Sequence, residues 1–193
     1  MLITLVTVTF NAEKTLERTL RSVENQNFSD MEHIIMDGAS TDSTVAMAES
    51  YKRRNPERSI TIVSERDKGL YDAMNKAINM ARGKFVCFLN AGDKLHAADT
   101  LDKIASATSL HPDAGVIYGD TDIVDDNGTK LRSRRLSPPE HLNWKSFRNG
   151  MLVCHQAFYA NRSIIPPYDN QSYRFSADFD WCIRIMKKAA TMS

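Results

Sequence analysis

The chain carries almost no net charge: 25 Lys and Arg against 24 Asp and Glu leave +1 over 193 residues. Such a balance gives the whole molecule no pull toward nucleic acid or anionic lipid, and no nucleic-acid partner is expected. Cysteine is scarce, with Cys87, Cys154 and Cys182 far apart. No pair has the C-x-x-C spacing of a metal or redox motif, so they read as buried, reduced thiols of a reducing compartment. No apolar run approaches the ~18 residues of a membrane span, which points to a soluble, cytoplasmic protein. Internal repeats and low-complexity segments are missing too. The amino terminus, Met1-Leu-Ile-Thr-Leu-Val-Thr-Val-Thr-Phe10, lacks the basic segment and cleavage-like site of a signal peptide. Its threonines recur at period two, as in a first β-strand. The carboxyl end, Lys187 to Ser193, stops on a helical pattern without a glycine cap or tail, and a shortened chain is expected there.

What is present is an ordinary globular composition, 42% hydrophobic and 25% charged, long enough for one domain with a full core. Strand-like and helix-like patterns alternate. Residues 2–9 read as a buried strand and 13–26 as a helix, with Leu16, Leu20 and Val23 on one face. Glu32–Met36 is a short strand. Ser40-Thr41-Asp42-Ser43 supplies N-cap residues for a helix carrying Val45, Ala48 and Tyr51. A strand over 59–64, a helix over 69–82 with Gly83 at C′, and a strand over 84–89 follow. A helix over 97–109 and a strand over 115–118 continue the alternation, which predicts an α/β fold with a largely parallel sheet. From Gly119 the pattern changes. Asp125-Asp126-Asn127-Gly128 signals a hairpin, 137–150 reads as irregular, Val153–Tyr159 as a strand and 178–190 as a final helix.

The chemistry gathers at strand ends. Asn90-Ala91-Gly92-Asp93 follows the apolar run Lys84–Leu89, and three earlier strands end in Thr9-Phe10-Asn11, Asp37-Gly38-Ala39-Ser40 and Glu65-Arg66-Asp67-Lys68-Gly69. Ligands of open α/β sheets bind at the carboxyl ends of the strands. Asp93 suits a phosphate-bound divalent cation, which needs few protein oxygens; the bland alternative is a turn ahead of a helix cap. Asp37 suits a base N–H or ribose hydroxyls, or makes an Asx-turn only. Asp42 reads as a helix cap. Arg66 or Lys68, before a helix N-terminus, offers charge to a diphosphate or belongs to a solvated run. Asp178 and Asp180 open the last helix two residues apart, so they point in different directions, and one of them at most would face a site as a base. His155, before Gln156, reads as a core or supporting histidine ahead of a ligand. His33, His96, His111 and His141 read as surface residues. The Arg132–Arg135 cluster is either a solvated face or a contact for an anionic acceptor.

At these residues the chain resembles a family 2 inverting glycosyltransferase of GT-A fold, most like the colanic-acid and capsule type of bacterial enzyme. The stretches that carry the likeness run in order: Val6–Asn11, Met36–Asp42, Ser64–Ala77, Phe88–Asp93, Ile117–Asp120, His155-Gln156 and Ser176–Asp180. The resemblance implies a Rossmann-like αβα sandwich with a small antiparallel acceptor-side extension. One domain, 1–193, would comprise a donor half over 1–119 and an acceptor half over 120–193. Thr9, Asn11, Asp37 and Asp67 would line the nucleotide pocket, with Lys68 and Asn90 beside the donor. Asp93 would hold Mn²⁺ or Mg²⁺, and Asp178 would be the general base, facing Asp93 across one cleft. Two departures stand out: Asp37 is followed by Gly38 where many relatives have a second acid, and Asn90 replaces the first acid of the DxD-type motif. The implied partners are a UDP- or GDP-sugar and a saccharide or lipid-linked acceptor. The implied location is the cytoplasm, at the inner face of the membrane where the acceptor is lipid-linked. Two rivals stay open. A nucleotidyltransferase is disfavoured because Asn11-Ala-Glu-Lys14 stands where its Gly-rich phosphate loop belongs. The other is a non-catalytic sugar-nucleotide binding module.

Overall fold

A computed structural model of the chain describes residues 1–173 and 175–190. Thr191–Ser193, the last residues of the carboxyl-terminal pattern, lie outside the described residues. The central sheet is six-stranded, in the order β3-β2-β1-β4-β8-β5. Strands β1 (Ile3–Thr9), β2 (Met31–Asp37), β3 (Ser59–Ser64) and β4 (Phe85–Phe88) are parallel. Their carboxyl ends therefore share one edge, and the polar strand-end clusters meet there. β1 and β2 are buried along their whole length, which is why they read as near-continuous apolar runs.

Helices α1 (Leu16–Glu24), α2 (Thr44–Arg54) and α4 (Thr100–Leu110) cover one face of the sheet, and α3 (Leu70–Met80) and α5 (Ala177–Ala189) the other. The αβα sandwich of GT-A proteins is thus in place. Alternation along β1 divides its side chains between the two layers: Ile3 and Leu5 pack toward Val23 and Leu101, while Val6 and Val8 pack toward Met74 and Trp181. β6 (Asp122–Val124) and β7 (Lys130–Ser133) form the small antiparallel ribbon around the predicted hairpin turn.

Four expectations shift. The strand predicted over 153–159 begins only at Phe158 (β8, Phe158–Asn161), because His155–Ala157 winds into a 3-10 turn. β8 then inserts antiparallel between β4 and β5 (Val116–Tyr118), a long-range pairing that no local period encodes. A 3-10 turn over Trp144–Asn149, capped by Asn143, orders part of the stretch read as irregular. Gly83 is not a left-handed C′ residue, since α3 ends on the extended Ala81. Its need is for space: a Cβ there would lie 2.5 Å from the Thr4 backbone nitrogen. His33, read as a surface residue, is 1% exposed in β2. Among the described residues no helix is long and apolar enough to cross a membrane.

Candidate active site

The loops after β1 and β2 are laced together. The Asn11 N–H donates to Ser40 Oγ (2.8 Å), Asn11 Oδ1 accepts from the Thr41 N–H (3.0 Å), and the Gly38 N–H donates to the Thr9 carbonyl (2.9 Å). Asn11 takes φ = +47°, a left-handed conformation that asparagine tolerates. Asp37 is buried and accepts from the Ser40 N–H (2.9 Å), the Ser40 hydroxyl (2.5 Å) and the Ser64 hydroxyl (2.6 Å). The turn thus uses the Asp37 carboxylate to fix the loop. Asp42, one residue ahead of the N-cap Ser43, accepts from the Thr44 N–H at the start of α2 (3.0 Å). A Cβ on Gly38 would come within 2.8 Å of Asp67 Oδ2 and 3.3 Å of the Phe10 ring. Asp67, Gly38 and the exposed Phe10 therefore form one wall. Asp67 Oδ1 also accepts from the Gly69 N–H (2.8 Å), and the exposed Lys68 gives its backbone N–H to Asp72 (3.0 Å). Thr9 is 4% exposed, and its hydroxyl has no hydrogen-bond partner among the described residues.

The turn after β4 is held from α1. Thr19 Oγ1 donates to the Asp93 carbonyl (2.6 Å) and accepts from the Gly92 N–H (2.9 Å), while Arg18 donates to the Gly92 carbonyl. Gly92 has φ = +104°, which lets the chain turn back and aim Asp93. Asp93 Oδ2 accepts from Gln156 Nε2 (2.9 Å), and Gln156 Oε1 accepts from the Cys154 thiol (2.7 Å). Burial pushes the Asp93 carboxyl above its ordinary value, with the Gln156 N–H and the Arg18 guanidinium pulling the other way.

Two cavities open at this edge. One, of about 190 Å³, is lined by Tyr71, Asn90, His155, Gln156 and Asp178 among others. The second, of about 750 Å³, takes in Arg18, Asp93, Lys94 and Asp120 under the β6–β7 ribbon. Asp93 lines the second cavity and Asp178 the first, and Arg134, Cys154 and Gln156 line both and join them. Asp178, in the first turn of α5, accepts from the Tyr71 hydroxyl (3.2 Å). Asp180 turns elsewhere and pairs with Arg184 Nε (2.6 Å). His155 is buried, its Nε2 2.6 Å from the Tyr168 hydroxyl. Burial lowers its pKa to about 4, with the Asp178 charge opposing. It lines the first cavity as a neutral ring stacked on Phe88.

The family 2 glycosyl transferase profile matches residues 4–165, from β1 to the turn after β8. The chain belongs to glycosyl transferase family 2. It is 35% identical over 188 residues to the PGL/p-HBAD biosynthesis glycosyltransferase of Mycobacterium bovis, covering 96% of this chain and 70% of that one. It is 28% identical to the teichuronic acid biosynthesis glycosyltransferase TuaG of Bacillus subtilis, over 79% of this chain and 60% of the relative. Among solved structures, S. aureus TarS 1-349 superposes with a TM-score of 0.78 at 18% identity, over 96% of this chain. The chain spans 55% of that protein. A complex of the same TarS fragment with UDP-GlcNAc gives 0.75. The mannosyltransferase PcManGT of Pyrobaculum calidifontis, with GDP-Man and Mn²⁺, gives 0.63 over 84% of this chain and 45% of its own.

The resemblance places a divalent cation at the β4 turn as an expectation. Among the described residues no three His, Cys, Asp or Glu side chains converge. A cation that takes most ligands from phosphate and water asks for less. Asn90 Oδ1 is buried without a hydrogen-bond partner among the described residues, three residues before Asp93, and an amide or carboxylate oxygen is the type of ligand such an ion takes. The sequence reading gives no role to three positions at this edge, Tyr71, Gln156 and Arg18, and includes Arg134 only within the Arg132–Arg135 cluster. Tyr71 and Gln156 sit inside the matching stretches, but only the fold shows which acids they touch. Arg18 and Arg134 give their guanidinium protons to main-chain carbonyls: Arg18 to Asp125 and Asp126, Arg134 to Leu136, Met151 and Leu152. They look like ordinary surface cations until the loops fold over them.

Proposed function

We propose that this family 2 member transfers a sugar from a nucleoside-diphosphate sugar to a hydroxyl of a saccharide or lipid-linked acceptor, with inversion at the anomeric carbon. The setting would be assembly of a bacterial surface polysaccharide or glycolipid, in the cytoplasm at the inner membrane face. The observation that carries this is the position of Asp178: a carboxylate at a helix N-terminus, in a cavity shared with Asn90 and beside the Asp93 turn. The names of the relatives agree, one serving PGL/p-HBAD and another teichuronic acid biosynthesis. The UDP-GlcNAc and GDP-Man bound by two structural neighbours make a UDP- or GDP-sugar the donor to test.

The nucleotide would lie along the edge formed by Thr9, Asn11, Asp37 and Asp67, in the half of the chain over 1–119. Lys68 and Asn90 would stand nearer the diphosphate and the sugar. A Mn²⁺ or Mg²⁺ held by Asp93 and Asn90 would neutralise charge on the departing diphosphate. Asp178 takes the proton of the acceptor hydroxyl as its oxygen attacks the anomeric carbon. The bond from that carbon to the diphosphate oxygen breaks, and the nucleoside diphosphate leaves with the electron pair. The acceptor would enter from the half over 120–193, past the ribbon. Asp178→Asn is expected to lower transfer or donor hydrolysis by about 10³-fold while the protein still binds nucleotide. Unchanged turnover in that variant would remove Asp178 from the chemistry.

A further inference from the structure

α3 presents two side chains, Tyr71 and Asn75, one helical turn apart on the face toward α5 and the loop before it. Asn75 clamps that loop: its Nδ2 donates to the Tyr168 carbonyl (3.0 Å) and its Oδ1 accepts from the Tyr168 N–H (2.7 Å). The Tyr168 ring, fixed at its backbone, stacks on Tyr71 with centroids 5.4 Å apart and planes at 27°, and on Trp181 at 4.7 Å and 11°. Its hydroxyl is fixed again at His155 Nε2, 2.6 Å away. Tyr71 is thus held by a stack that is itself pinned at both ends. Its hydroxyl donates to Asp178 Oδ1 at 3.2 Å, in the cavity that both residues line.

We propose that Tyr71 is the positioning residue of the transfer reaction: its hydroxyl holds Asp178 Oδ1 so that the other carboxylate oxygen, Oδ2, meets the acceptor hydroxyl. This rests on Asp178 being the base. In the step itself the acceptor O–H proton passes to Oδ2, the acceptor oxygen bonds to the anomeric carbon, and the nucleoside diphosphate departs. Tyr71 keeps its own proton throughout, since burial and the Asp178 charge hold its hydroxyl above the ordinary value. The stack also gives the buried His155 a role that needs no ligand: it orients the tyrosine that orients Tyr71.

The groups facing Asp178 are Tyr71 from α3, His155 from the 3-10 turn, Tyr168 from the loop and Cys182 from α5, with Arg134 and Cys154 on the same cavity. Burial keeps His155 neutral down to about pH 4 and raises Tyr168 and Cys182 well above their ordinary values. Asp93, Asp120 and Asp122 line the adjoining cavity, which Tyr71 does not line.

The test is the steady-state kinetics of Tyr71→Phe, which keeps the ring and its stack and loses only the hydroxyl. Expected are a kcat about tenfold lower and a donor KM within about twofold. An unchanged kcat, or a loss confined to donor KM, overturns the proposal. Asp178→Asn, measured alongside, separates two failures. If it is inactive while Tyr71→Phe keeps its kcat, the positioning role alone falls. If it retains full transfer, the base assignment falls and the positioning role with it.

Discussion

His33 occupies a position that a strand buried on both faces can tolerate only with partners. Its two ring nitrogens lie 2.8 Å from the Thr7 hydroxyl and 3.2 Å from the Tyr51 hydroxyl, so the neutral ring is satisfied on both sides. Burial, with the Arg58 charge adding to it, lowers its pKa to about 3. The folded protein therefore refuses a proton that the unfolded chain accepts near its ordinary 6.5. Because the folded value is depressed, the stabilisation is present above the unfolded value and drains away as the pH falls below it. From about pH 6 to pH 4, His33→Gln is expected to flatten the fall in urea-unfolding free energy by up to about 1.4 kcal/mol per pH unit. An unchanged slope would mean that His33 takes up its proton in the folded state. The neighbouring Glu32 is treated differently. Burial pushes its carboxyl up, but the Thr4 hydroxyl and the Arg82 backbone and guanidinium outweigh that and hold it low.

The elements divide by how local their causes are. β1 to β4 and the helices between them are legible because a parallel strand buried on both faces is an apolar run, and the helix beside it repeats its apolar residues every three to four positions. The convergence of Thr9, Asp37, Asp67 and Asp93 on one edge follows from that parallelism without further information. β8 is different. Its antiparallel place between β4 and β5 depends on the register Phe85 to Asn161, and nothing within a dozen residues of either specifies it. The same pairing brings the His155–Ala157 turn to the carboxyl edge, and with it the Gln156–Asp93 contact and the wall between the two cavities. The Tyr71–Asp178 hydrogen bond spans 107 positions and was hidden for the same reason. Gly83 is a finer case, because a glycine after a helix invites the C′ reading while the structure uses its missing side chain against β1. Gly83→Ala would drive a methyl group to 2.5 Å from Thr4 N and 2.7 Å from Ile3 C, at the start of the β1–β4 pairing. A loss of about 3 kcal/mol in unfolding free energy is expected. Gly119→Ala, where an added Cβ meets nothing within 4 Å and φ is not positive, is expected to change stability by less than about 0.5 kcal/mol. Equal effects of the two substitutions would show that packing against β1 is not what Gly83 is for.

At the scale of the whole molecule, the loops at the carboxyl edge of the sheet are tied to one another: Asn11 to Ser40, Asp37 to Ser64, Thr19 to the β4 turn. If this edge takes the donor, as proposed, nucleotide binding to the folded state should appear as added stability of the fold. The buried, unpartnered oxygens of Thr9 and Asn90 are where that stability would be gained. With a nucleoside diphosphate at about a hundred times its Kd, binding to the folded state alone adds roughly 2.7 kcal/mol, a rise of about 5–10 °C in Tm for a domain of this size. The expected result of a thermal panel is a rise with UDP or GDP that is larger with Mn²⁺ than without. Asp93→Ala should remove the metal-dependent part and leave the smaller metal-free rise. If the full rise persists in Asp93→Ala, the cation is held elsewhere and Asp93 serves only its hydrogen bond to Gln156. A flat panel with every nucleoside diphosphate would remove the donor edge itself, because a site that the folded state alone possesses cannot bind its ligand and leave the melting temperature where it was.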